Sequence, residues 1–545
     1  MGVKHFFQWF RKQFETSIKN ISKTQTLFDI NVNVDVLLLD LNGIFHNSAQ
    51  KVFQYGNFKP PPRLLGKPIR IPNSKETRTK LFQDICESID RLVRITSPQK
   101  HLVLCIDGPA PIGKQNQQRQ RRFRTAFESN ADSSFDSNCI TPGTEFMHEL
   151  SLYIDSYIIS KRETDSNWKT PNVVFSNEKV PGEGEHKAMQ FIREHGSDDD
   201  TYCINGMDAD LIMLAMSTHR PKFYILRDDM FTSNNAFYCI DIASTRTALL
   251  KILKWTSNHK FNEKQAIDDF VFLCFMVGND FLPHIPSIEI IEAGIELMIE
   301  IYLHVGTNYG HLTETRKNGK VYLRTEQVKL FLTIIGQNEK HNFEAKLAKK
   351  ESFFPDPLMI KHSSNNSDGK WDIDIDGYIS DYNIKCFGAE HDMKQVSHDY
   401  IQGLQWVLSY YTTGVQSWKW YFPHQYAPPA SILASHMDTF AFGKYGVSRP
   451  SSPFEQLLSV LPPKSANLIP SPLNTLLTNE GSQLRKFCPD KLVIDLAGKR
   501  KEWEGITLLP MVDQTLISRL CKKHVFNVSV IDQVRNVVEK EKIYL

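Results

Sequence analysis

Val34-Asp35-Val36-Leu37-Leu38-Leu39-Asp40 (VDVLLLD, residues 34–40) decides the fold: a short apolar run that ends in an acid. It is too short for a helix, and its Val and Leu content suits a strand covered on both faces. His101–Asp107 (HLVLCID) repeats the shape, again ending in an acid. Asn172–Ser176, Thr201–Asn205 and Lys222–Leu226 are further strand candidates. Between them the apolar spacing predicts amphipathic helices over Arg78–Ile95, Phe146–Ser160 and Glu185–His195. The alternation implies an α/β domain with a mainly parallel central sheet. Ligands of such sheets collect at the carboxyl ends of the strands.

Further along, Ile267–Val277 and Pro286–His304 read as buried helices. Residues 305–395 are less regular and include Asn365-Asn366-Ser367-Asp368-Gly369, which predicts a linker or variable insertion. Residues 396–545 read as a second, mixed α/β region, dense in aromatics up to 430. The expected division is therefore 1–304, 305–395 and 396–545.

The 545 residues are 41% hydrophobic and 23% charged, the balance of a globular protein rather than a disordered one. With 64 Lys and Arg against 62 Asp and Glu, the chain is neither a basic coat protein nor an acidic tail. A role with nucleic acid must come from local charge segregation. The nine cysteines are scattered, odd in number and never spaced CxxC, which argues against zinc and against a disulfide framework or a disulfide-linked partner. No run of 18 apolar residues exists, so no membrane helix is expected. The start shows no secretory pattern, and Phe6 stands where a myristoylation signal needs Ser or Thr. The expected setting is the cytoplasm, with the nucleus as the alternative.

Acids recur where this fold puts a site. Asp40 and Asp107 end strands, Glu183 and Glu185 open a helix, and Asp208 and Asp210 follow the strand Thr201–Asn205. Asp280 follows a buried helix. A single acid at a strand end is commonly a turn residue or helix cap. Seven that converge would repel unless cations neutralised them, and an all-oxygen donor set selects Mg²⁺ or Mn²⁺. Two such ions are the apparatus of in-line phosphodiester hydrolysis.

Residues 113–124 (GKQNQQRQRRFR) carry five positive charges and no acid. At helical spacing Lys114, Gln118, Arg121 and Arg122 fall on one face, which makes a phosphate pocket, with Arg offering paired donors. The bland alternative is a solvated helix face.

These segments resemble the Xrn family of processive 5′→3′ exoribonucleases. The matching stretches are GVKHFFQWF (2–10), LDLNGIFH (39–46), IDGPAP (106–111), KQNQQRQRRFR (114–124), FDSNCITPGTEFM (135–147), VPGEGEHK (180–187), GMDADLIML (206–214) and VGNDFLPH (277–284). Later come GLQWVLSYYTTGVQSWKWYFPHQYAP (403–428), PFEQLLSVLPP (453–463) and GKRKEWEGITLLPMVD (498–513). The resemblance implies a FEN/PIN-like nuclease domain extended by the second region. It implies catalytic metal ligands at Asp40, Asp107, Glu183, Glu185, Asp208, Asp210 and Asp280, holding two Mg²⁺ or Mn²⁺ ions. It implies a 5′-monophosphate pocket at Lys114, Gln118, Arg121 and Arg122. A base clamp is implied at His46 with Trp418 or Trp420. The implied substrate is single-stranded RNA with a 5′ monophosphate, cut to nucleoside 5′-monophosphates in RNA and mRNA decay. Lys4 and Gln8 depart from the family's proline and basic residue near the helix thought to exclude duplex RNA. The chain reads as a minimal core without C-terminal extensions. Rival readings are a flap-type 5′ nuclease acting on DNA and a non-catalytic RNA-binding scaffold.

Overall fold

The computed structural model describes residues 5–58, 71–128, 135–228, 237–348, 356–499 and 501–545. Lys4, and Arg500 within the segment 498–513, lie outside them.

The central sheet is built from β1 (Ile18–Ile21), β2 (Val36–Asp40), β3 (His101–Cys105), β4 (Asn172–Ser176), β5 (Thr201–Asn205), β6 (Lys222–Asp228), β7 (Phe237–Asp241) and β8 (Lys542–Tyr544). Their spatial order is β1-β7-β6-β5-β2-β3-β4-β8. The five inner strands β6, β5, β2, β3 and β4 run parallel; the outer pairings are antiparallel. All five strands expected from the sequence are the parallel ones. Alternate side chains of β2 enter two different cores, Leu37 and Leu39 on one face and Val36 and Leu38 on the other. That split is why its apolar run is continuous rather than alternating.

One face carries α1 (Leu41–Phe53), α2 (Lys75–Thr96) and α4 (Glu145–Thr164). The other packs under α5 (Gly184–His195), α6 (Leu211–Ser217), α7 (Glu263–Phe275) and α8 (Gly294–Tyr309). Between α2 and α4 runs α3 (Ile112–Glu128), the basic segment. Local chemistry fixes the helix starts: Asp40 caps α1, Ser74 caps α2 through the Thr77 amide, and Thr144 caps α4 through that of Met147. The helix expected over Pro286–His304 begins only at Gly294, after a short 3-10 turn at Ile290–Glu292.

Of the linker or variable insertion expected at 305–395, the linker is corrected. That stretch holds α9 (Thr325–Gln337), whose Val328, Phe331, Leu332 and Ile335 enter the main core. The polar Asn365–Gly369 run is the tip of a hairpin between Ser363–Asn365 and Trp371–Ile373, with Gly369 at φ +72°. Polar turn chemistry read as a linker was a strand reversal.

The second region is mainly helical, with a short hairpin at Val493–Asp495 and Ile506–Leu508. Its principal element is α10 (Met393–Thr412), which lies in the same core as α6 and α7. Near the sheet's far edge β8, from residues 542–544, pairs antiparallel with β4, Ile543 opposite Val174. The two regions therefore share one sheet and one core. Among the described residues no helix is long and apolar enough to cross a membrane.

Candidate active site

The carboxyl ends of the parallel strands are tied by backbone bonds that only glycine permits. After β3, the Gly108 amide donates to the Gly182 carbonyl (2.8 Å), and the Gly182 amide returns to Pro109 (2.9 Å). A Cβ on Gly108 would stand 1.8 Å from the Val180 carbonyl oxygen. Gly184 opens α5, and its amide donates to Asp107 Oδ1 at 2.7 Å. A Cβ there would meet Asp40 Oδ1 at 2.4 Å. Asn42, in the first turn of α1, accepts from the Asp107 amide at 3.0 Å. Asp40, Asp107 and the start of α5 are thereby brought together by short loops.

The seven acids form one electrostatic cluster. Burial, then the charges of Asp107 and Asp208, pushes the Asp40 carboxyl well above the usual range. Glu185 is raised in the same sense by burial, then by Asp210. Burial lifts Glu183 to about 7 against the opposing pull of Lys114. Asp210 is lifted to about 6 by burial, then by Asp208 and Asp280. Burial works against the charge of Asp280 too, but Lys114 holds its carboxyl below the usual value. Carboxyls that sit this high want a cation.

Among the described residues the cation paired with these acids is Lys114. Its Nζ lies 2.7 Å from Asp280 Oδ2 and also pairs with Glu183 Oε2. The carboxylates are arrayed round this ammonium, and among the described residues no three Asp, Glu, His or Cys side chains close on a single ion position. The donor set nevertheless fits a divalent metal. All donors are oxygens, the charges repel, and among the described residues the buried Asp210 Oδ1 has no hydrogen-bond partner.

The four side chains expected to form the phosphate pocket do not share one surface. Lys114 belongs to the carboxylates. Gln118 Oε1 accepts from Gln456 Nε2 at 3.2 Å. Arg121 and Arg122 line a cavity of about 230 Å³ together with His46, Gln50, Tyr55 and Asn138. Thr141 Oγ1 accepts from Arg122 Nε (2.9 Å), and the Ile140 carbonyl from its Nη2 (3.3 Å); Arg122 Nη1 is buried without a partner. His46 is held neutral, its pKa lowered to about 3 by burial and then by Arg121 and Arg122. Among the described residues, the cavity's cations are its two arginines.

Residues 1–229 match the family described as XRN 5′-3′ exonuclease N-terminus, and residues 260–372 and 375–545 match the Xrn1 helical domain. The chain belongs to the XRN 5′-3′ exonuclease family. It is 30% identical to the 5′-3′ exoribonuclease 2 homolog of Drosophila melanogaster, over 94% of this chain and 70% of that one. Identity is 28% to 5′-3′ exoribonuclease 1 of Saccharomyces cerevisiae and 30% to that of Homo sapiens. The chain spans 44% and 34% of their lengths. The match to the helical domain runs through most of 305–395, in keeping with the packed helices found there.

Within this XRN chain the two tryptophans differ. Trp420 stacks on the buried Trp406, ring centroids 5.0 Å apart, and packs against the main core. Trp418 is half-buried and makes no ring contact among the described residues, while its backbone is pinned by Ile112 and Ser448. Two site residues escaped the sequence reading. Tyr410 Oη donates to Glu183 Oε1 at 2.9 Å, and Tyr411 Oη to Asp210 Oδ2 at 3.4 Å. In the sequence they stand within the aromatic-dense matching stretch 403–428, where core packing explains aromatics equally well.

Proposed function

We propose that this chain is a processive 5′→3′ exoribonuclease that hydrolyses single-stranded RNA bearing a 5′ monophosphate to nucleoside 5′-monophosphates. The observation that carries the reading is a seven-acid cluster at the sheet's carboxyl end beside a cavity lined by Arg121, Arg122 and His46. The relatives' names speak for RNA and give the flap-type DNA alternative no support.

Asp40, Asp107, Glu183, Glu185, Asp208, Asp210 and Asp280 would hold two Mg²⁺ ions. Bound there, such ions activate a water and stabilise the leaving oxygen. Arg121 and Arg122 donate to the terminal phosphate, with Arg122 oriented by Thr141. Neutral His46 offers a ring to the first base without competing for the phosphate, and Trp418 is the aromatic partner. Lys114, paired with Glu183 and Asp280, offsets charge among the acids. Each cut leaves a new 5′ phosphate on the shortened strand, so the same contacts serve the next cycle.

The test is decay of 5′-monophosphate, 5′-hydroxyl and capped RNA with Mg²⁺. Selective release of mononucleotides from the first is expected, and Asp210→Asn should abolish it while RNA binding persists. Equal decay of all three substrates overturns the phosphate pocket. Oligonucleotide products overturn the exonuclease reading.

A further inference from the structure

Helix α10 reaches the acidic cluster from the second region, and its consecutive Tyr410 and Tyr411 touch acids from two different elements. Glu183 precedes α5, whereas Asp210 follows β5. Both tyrosines are buried, at 0% and 3% exposure. Their rings enclose His186, the residue after Glu185: Tyr410 stacks on it at 3.6 Å between centroids, and Tyr411 meets it edge-on at 5.5 Å. Neither hydroxyl can rotate to solvent, so each is committed to its carboxylate. Because Tyr411 engages Asp210 Oδ2, the partnerless Oδ1 is left as the buried acceptor. Glu183 has Oε1 fixed by Tyr410 and Oε2 turned to the Lys114 ammonium. In each acid a tyrosine hydroxyl holds one oxygen; the other faces Lys114 in Glu183 and, among the described residues, is without a partner in Asp210.

We infer that Tyr410 and Tyr411 are positioning residues, through which the second region sets the divalent-cation affinity of acids supplied by the first. This rests on the reading that the acids bind such a cation. Partners that hydrogen-bond to ligating carboxylates fix their orientation, and losing them weakens metal affinity by about 10- to 100-fold.

The experiment is calorimetric titration of the full chain with Mn²⁺, without RNA, for wild type, Tyr410→Phe, Tyr411→Phe and the double variant. Phenylalanine keeps the ring against His186 and removes only the hydroxyl. The expected result is Mn²⁺ binding about tenfold weaker in each single variant and weaker still in the double. Tyr400→Phe is the control. It removes an equally buried hydroxyl on the same helix, one that donates to the Pro283 carbonyl, and should leave Mn²⁺ affinity unchanged. Where Tyr410→Phe fails to fold, Tyr411→Phe against Tyr400→Phe carries the comparison. Wild type and double variant binding Mn²⁺ equally overturns the positioning role alone. A wild type that takes up no Mn²⁺ overturns the cation reading of the acids and this inference with it.

Discussion

Lys114 Nζ and Asp280 Oδ2 stand 2.7 Å apart although 166 residues separate them in the chain. The pair places a positive charge among the carboxylates, where it offsets part of the repulsion that otherwise favours protonation. Breaking a buried pair leaves the remaining charge uncompensated, at a cost of about 3 kcal/mol. Lys114→Met should therefore lower the melting temperature by several degrees in EDTA. Added Mn²⁺ should narrow the gap, because a cation that binds the folded state stabilises it. Thermal unfolding with and without Mn²⁺ measures this; an identical loss in both conditions speaks against the role assigned to the ammonium.

Two glycines separate space from conformation. Gly184→Ala puts a methyl on Asp40 Oδ1, so the carboxylate must move. Turnover should fall by at least about tenfold while circular dichroism stays native, since small displacements at reacting groups are costly. Gly43, inside α1, has nothing within 4 Å of its notional Cβ among the described residues. Gly43→Ala should raise stability by about 0.5–1 kcal/mol through helix propensity and leave activity in place.

The tryptophans divide by environment. Trp420→Ala removes a partly buried ring stacked on Trp406 and packed against the main core, and should destabilise the fold by about 2 kcal/mol. Trp418→Ala should leave stability nearly untouched and weaken single-stranded RNA binding by about 1–3 kcal/mol, the worth of one base stack. Denaturant unfolding and RNA titration on both variants decide the matter, and a reversed pattern assigns the base to Trp420.

Acid should find His284. Burial, then Lys499 and Lys346 against the opposing Glu289, lowers its pKa from 6.5 to about 4. The unfolded chain takes up this proton below pH 6.5 and the folded chain does not. Stability is therefore lost as pH falls from 6.5 towards about 4, and levels off below. Between pH 7 and 5 wild type should lose about 2 kcal/mol more than His284→Gln, read from urea unfolding. Parallel pH profiles would show that the histidine is not the sensor.

The parallel strands were legible because a strand buried on both faces must be apolar at every position, as Val36–Leu39 are. The acids were legible because each follows a strand or helix whose direction the sequence already fixes. The cationic face of α3 was legible only as a face: helical spacing aligns Lys114 with Arg121 and Arg122 but does not say that Lys114 turns to Asp280 or Gln118 to Gln456. Those choices depend on partners 166 and 338 residues away. The packed stretch around α9 was obscured by the neighbouring Asn365–Gly369 turn, whose composition is that of a linker and a hairpin alike. Strand β8 is three residues long, with no periodicity of its own to read.

The reach of α10 into the acids gives the order of synthesis a meaning. All seven carboxylates have been made once the ribosome passes Asp280, yet the hydroxyls that steady two of them arrive about 130 residues later. A nascent chain would carry the acids long before it carried the hydroxyls that hold two of them. On the proposed reading, the acids gain that bracing only after α10 has been made.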